Sequence, residues 1–165
     1  MDVKRLMRHL LTPRWLAHRA FRRADLDAIE TAIGIAEREH RGELRCVIEG
    51  PLPLVELWRD QPVRARAARV FAMTGVWDTE DNCGILIYLQ LVDRRVEILA
   101  DRGIARVVPQ DEWDVICREV EQAFHEGDYR GGALAAIAKA SALLVRHFPA
   151  AEDNANELSD RPLRI

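Results

Sequence analysis

Carboxylates gather at three places along the chain. Asp78, Glu80, Asp81 and Asn82 stand just before an apolar run that starts at Gly84; Asp101 follows the next apolar segment, and Asp128 lies between two helical stretches. If those loops converge, hard oxygen donors at that density suit Ca2+ or Mg2+, which take oxygen ligands at about 2.0–2.6 Å. No Asp-x-Asp-x-Asp-Gly run occurs, so such a site needs several segments rather than one loop. The plainer reading is that these residues cap helices and make side-chain turns. Arg102, next to Asp101, has the planar fork that meets phosphate oxygens in pairs. A metal held by Asp81 and Asp101 would supply the activated water for hydrolysis of a phosphomonoester. As an ordinary turn residue, Arg102 is simply solvated. Trp58, Trp77 and Trp113 are expected in the core, with the lining of a cleft as the alternative.

Other chemistries lack their residues. Cys46, Cys83 and Cys117 have no C-x-x-C spacing and sit in apolar segments, as buried free thiols do. The five histidines form no H-x-x-x-H or H-E-x-x-H pair, which argues against zinc. The glycines fit neither the P-loop nor the dinucleotide spacing, and neither Ser141 nor Ser159 sits in a G-x-S-x-G turn. The chain of 165 residues has 48% hydrophobic and 31% charged residues, the balance of one globular domain. Its net charge of −3 argues against a nucleic-acid partner. That charge is uneven. Residues 1–23 carry seven Lys and Arg against Asp2, a basic arm of +6, so the remainder is acidic at −9.

The elements that must position these residues follow from periodicity. Residues 2–11 and 14–22 read as two short amphipathic helices broken at Pro13, with Leu6, Leu10, Trp15 and Phe21 on one side and arginines on the other. Such an arm suits an anionic membrane surface, while docking of its apolar residues on the body is the alternative. Basic residues interrupt every candidate signal-peptide core, so no export by that route is expected, and no run reaches the ~20 apolar residues of a membrane span. A cytoplasmic protein, peripheral at the inner membrane, is the expected setting. Helical spacing covers about 25–41, with Asp25 as N-cap; residues 43–49 alternate as a strand ending at Gly50-Pro51. A helix opening at Pro62 ends near Gly75, and Gly84–Leu91 is hydrophobic enough for a strand covered on both faces. Residues 95–100 return from a turn at Asp93-Arg94. Helices over 109–126 and 131–148 complete the body, and 150–165 reads as a disordered tail. A crossover helix between the first two strands makes them parallel, giving a mixed sheet with helices on both faces. Cys46, Ile48, Ile85, Ile87, Leu89, Val96 and Ile98 should meet Ile116, Val120, Phe124, Ile137 and Leu144 in one core.

The segment Trp77-Asp-Thr-Glu-Asp-Asn-Cys-Gly-Ile-Leu-Ile-Tyr-Leu89, then Asp93-Arg-Arg-Val-Glu-Ile98, Asp101-Arg-Gly-Ile104 and Gly127-Asp-Tyr129, resembles the TPM domain. That family is named for a thylakoid lumen protein, a photosystem repair protein and a nematode acetylcholine-receptor accessory protein. The resemblance covers about residues 25–148 and rests on the order and spacing of short motifs, with Gly42-Glu43 matching the start of the first strand. Two positions depart from the usual pattern: Cys83 separates Asn82 from Gly84, and Asp101-Arg102-Gly103 replaces an aromatic Gly-Tyr-Gly loop. The resemblance implies an α/β three-layer sandwich, a TPM-like domain over 24–149 and the short, unexported bacterial branch. It also implies a LemA-family membrane-associated protein as partner. For function it implies an accessory binding module that takes a divalent cation, with a metal-assisted acid phosphatase as the alternative. The metal residues would be Asp78, Asp81, Asn82, Asp101 and Asp128.

Overall fold

The computed structural model describes residues 2–13, 15, 19–150 and 156–165. Three long strands form where the sequence alternates or runs apolar: β1 (Glu43–Glu49), β2 (Gly84–Gln90) and β3 (Arg95–Ala100). β1 and β2 are parallel, with Cys46 opposite Ile87; β2 and β3 form an antiparallel hairpin, with Ile87 opposite Ile98. The sheet order is β3-β2-β1-β4, the last strand being Leu163–Arg164.

Helices cover both faces. Leu44, Cys46, Ile48, Ile85, Ile87 and Leu89 point to one side, against α2 (Arg23–Ala36), α6 (Gln110–Glu126) and α7 (Tyr129–His147). All twelve residues expected in the core belong to this cluster. Val47, Leu86 and Tyr88 point to the other side and meet Ala67 and Val70 of α4 (Val63–Met73). β2 is therefore buried along its whole length, as its unbroken hydrophobicity requires. The architecture is the α/β sandwich that the order of elements implies.

Local differences have local causes. α2 stops at Ala36 instead of running to residue 41, and Glu37 turns its carboxylate onto the N–H of Leu44 at 2.8 Å. Asp25 lies three residues inside the helix rather than at its cap, accepting the N–H of Arg22. Two short helices, α3 (Leu54–Trp58) and α5 (Arg102–Ala105), are too brief to show a periodic stripe in sequence. The segment read as a disordered tail contains β4, whose Leu163 pairs with Val47 in parallel; residues 151–155 of that segment lie outside the described residues. Trp113 is in the core as expected, but Trp58 and Trp77 are exposed. All three cysteines are buried free thiols.

The arm departs most from expectation. Of its second half, 14–22, residues 14 and 16–18 lie outside the described residues. The first half forms α1 (Val3–Leu11), which docks by its polar side. Arg5 Nε donates to Asp93 Oδ2 at 2.9 Å, Arg5 Nη1 donates to the carbonyl of Gln61, and buried His9 lies 3.1 Å from Asp93 Oδ1. His9 Nδ1 accepts the N–H of Leu52, so Nε2 carries the hydrogen that faces Asp93. Burial alone would raise the Asp93 carboxyl, but His9 and Arg5 outweigh it and hold the group below the ordinary carboxylate range. Leu10 and Trp15 stay exposed, whereas Phe21 is fully buried against Phe124 and Tyr129, so the folded body begins before residue 24.

Candidate functional site

The acidic loops meet at the end of the sheet where β2 begins and β3 ends. Two glycines permit it. A Cβ on Gly84 would lie 1.9 Å from the carbonyl oxygen of Val76, and one on Gly103 would lie 2.5 Å from the carbonyl of Asn82. Any larger residue at 103 therefore pushes the 101–103 loop off the 78–82 loop. Backbone bonds hold the approach: Asp101 N–H donates to the carbonyl of Gly84 at 2.8 Å, and Gly103 N–H to that of Asn82 at 3.0 Å. Asn82 has φ +52°, a left-handed conformation that asparagine tolerates better than most residues. Thr79 Oγ1 closes the turn by accepting the N–H of Cys83.

The side chains brought together are Asp81, Asn82, Asp101 and Arg102. Arg41 reaches Asp81 at 2.9 Å, in an exposed pair, and Arg102 Nε donates to Asn82 Oδ1 at 2.6 Å. Asp101 accepts the N–H of Arg102 through Oδ1 and so caps α5. Its Oδ2 is enclosed and meets no hydrogen-bond donor among the described residues. A buried carboxylate oxygen left in that state is costly unless something neutralises it.

Two of the expected residues lie apart from this cluster. Asp78 is exposed in the turn after α4, where its N–H donates to the carbonyl of Gly75. Asp128 is exposed and caps α7, accepting the N–H of Gly131 at 2.8 Å. Beside it, His125 lies 3.5 Å from Arg94 in the β2–β3 turn, at the far end of the sheet. Among the described residues, no three His, Cys, Asp or Glu side chains are placed to hold an ion together. Asp81 is turned to Arg41 and Asn82 Oδ1 already accepts from Arg102, so an ion at this end of the sheet would displace those bonds and take most of its coordination from water.

Sequence reasoning missed a second constellation, at the opposite ends of β1 and β2. Glu49, 2% exposed, accepts two parallel bonds from Arg66, at 3.0 and 2.7 Å, and a third from the Tyr88 hydroxyl. Glu56 extends the network to Arg69, which also donates to Gln61. Burial raises the Tyr88 hydroxyl, and the neighbouring Glu49 charge raises it further. The bidentate Glu49 bond raises Arg66 against its own burial. The network joins α4 to the sheet. Its signal in the sequence was a glutamate ending an apolar strand and arginines recurring at 64, 66 and 69 of one helix.

Comparison with known proteins gives a family. The solved structures similar to the chain include the BA42 protein of the psychrophilic bacterium Bizionia argentinensis, 29% identical, with a TM-score of 0.77 over 88% of this chain and 95% of that one. Another is the N-terminal domain of a P. gingivalis protein, 17% identical, whose TM-score of 0.62 over 85% of this chain and 92% of that one speaks for the fold. No curated protein matches. The TPM domain model matches residues 18–143, which takes in both acidic loops, the glycines that bring them together and the helices behind them; the chain belongs to the TPM domain family.

Proposed function

We propose that the protein is a non-catalytic accessory module working near a membrane, and that the loops bearing Asp81, Asn82 and Asp101 take up Ca2+ or Mg2+ weakly. The observation that supports the cation is the enclosed Asp101 Oδ2, which meets no hydrogen-bond donor among the described residues and lies where the loop of Asp81 and Asn82 is bonded to the 101–103 loop. A cation there would satisfy that oxygen, and the exposed Arg41 could release Asp81 at little cost, since surface ion pairs contribute about 0–1 kcal/mol. The remaining polar side chains of the loop end favour binding over turnover. Arg102 is held by Asn82, and the Cys83 thiol is buried, bonded to the carbonyl of Arg41 and raised by burial.

Thermal unfolding tests the proposal. Millimolar Ca2+ or Mg2+ should raise the melting temperature, with stability growing by about 2.7 kcal/mol at a hundredfold excess over Kd. Asp101→Asn and Asp81→Asn should each erase most of that rise, and Asp128→Asn should leave it intact. An unmoved melting curve refutes the cation. Hydrolysis of p-nitrophenyl phosphate that needs Asp101 and an added cation would instead establish the phosphatase alternative.

A further inference from the structure

The arm is inside out. α1 turns Arg5 and His9 inward, to Asp93 and the 52–61 segment, and Val3, Met7, Leu10 and Leu11 outward. Those four recur at i, i+4, i+7 and i+8, a continuous apolar stripe, and Leu11 is 75% exposed. An amphipathic helix on a globular body normally buries that stripe; here ion pairs and hydrogen bonds hold the opposite side instead.

α3 widens the stripe into a surface. Its start is tied to α1 through Leu52 and His9, and the residues after its end are tied through Gln61 and Arg5, so it runs antiparallel beside the arm. It exposes Leu54, Val55 and Trp58, the last at 70%. Exposed cations lie along the same two segments, Lys4 on α1 and Arg59 just after α3, while the half-exposed Arg8 reaches Asp93 at 3.7 Å. Arg19 sits 5.9 Å over the ring of exposed Trp15 farther along the arm, and Arg22 and Arg23 follow it. Apolar side chains and tryptophans framed by Lys and Arg match the layering of an anionic bilayer, acyl chains beneath phosphate headgroups. Residues 24–165 are acidic at −9 overall, so the basic residues of the arm are the part of the chain most strongly drawn to such a surface. No helix among the described residues is long and apolar enough to cross a membrane.

We infer that the outer faces of α1 and α3 form an interfacial anchor for anionic lipid, with the Arg5–Asp93–His9 contacts fixing the anchor to the body. This deepens the near-membrane part of the proposed function and is independent of the cation site. Co-sedimentation of the full chain with phosphatidylcholine vesicles, with and without phosphatidylglycerol, tests it. Binding should appear with the anionic lipid, weaken with salt and shift tryptophan emission to the blue. Lys4→Ser/Arg59→Ser should lower anionic partitioning about twenty-five-fold, at about fivefold for each cation. Leu10→Ser/Leu11→Ser should lower it at least as much, and both pairs should leave the melting temperature and its response to Ca2+ or Mg2+ unchanged, because these side chains are exposed. Three results overturn the inference: no binding to anionic vesicles, binding that ignores both pairs, or concentration-dependent self-association, abolished by Leu10→Ser/Leu11→Ser, in place of vesicle binding. Failure here with an intact cation response would leave the loop-site proposal standing.

Discussion

At the scale of single residues, buried carboxylates make the clearest demands. Glu37 is 6% exposed, bonded through Oε1 to the N–H of Leu44 and placed beside Asp160 and Glu43. Burial first, then those neighbouring charges, push its carboxyl up to about 8, against the lowering effect of the Leu44 bond. The folded protein thus holds a proton that the unfolded chain releases near pH 4.5. This contribution to stability is complete below that pH and drains away as pH rises toward 8. Glu37→Gln keeps an acceptor for Leu44 and offers Asp160 a donor. It should flatten the decline and stabilise the protein at pH 8 by about 2 kcal/mol or more, read as melting temperature between pH 5 and 9. A decline as steep as that of the unmodified protein would show that Glu37 is ionised in the fold. The acids singled out for chemistry were legible as loop residues because Asp and Asn open turns. Glu37, Glu43 and Glu49 were not, since a glutamate at the edge of an apolar run reads as solvated until the fold covers it.

At the scale of elements, the C-terminal segment seals β1. Ile165 N–H donates to the carbonyl of Ile48 and Gly50 N–H to that of Ile165, while Arg45 holds the carbonyls of Ser159 and Arg161. Leu158 N–H meets the buried Glu43 carboxylate, and the Leu158 side chain packs on the second core. A chain ending at Ala150 should lose about 2–3 kcal/mol of stability, from lost hydrogen bonds and apolar cover, and hydrogen exchange should show the Gly50 amide unprotected. Unchanged protection would mean that β4 does not hold the edge. The bounds of β1 and β3 could be read from alternation and from the turns that end them. β4 could not, because two residues carry no period and pair only where a distant strand leaves its edge free. α1 was legible as an amphipathic helix, but the side it buries was not: that choice depends on Asp93, more than eighty positions away in sequence.

For the whole molecule, the sheet separates two cores, and β2 contributes to both. Ile87 lies at its centre with no exposure. Ile87→Asp should abolish cooperative melting, because an unpaired buried carboxylate costs several kcal/mol against a total stability of about 5–15; a soluble variant with a sharp transition would contradict the central place of this strand. Topology also accounts for the separation of Asp128 from Asp101. β3 ends at the loop cluster, and α6, at about 1.5 Å per residue over 17 residues, carries the chain about 25 Å toward the other end. Reversal of direction along β2, β3 and α6 was implicit in the order of elements, and it bears on site geometry more strongly than the count of acidic loops. The same order has a consequence in time. β1, β2 and β3 leave the ribosome well before Leu163, and at about 5–20 residues per second the edge of β1 waits several seconds for its last partner. During synthesis the nascent sheet is an open template for other chains, so truncated products are the natural clients of chaperones and proteases.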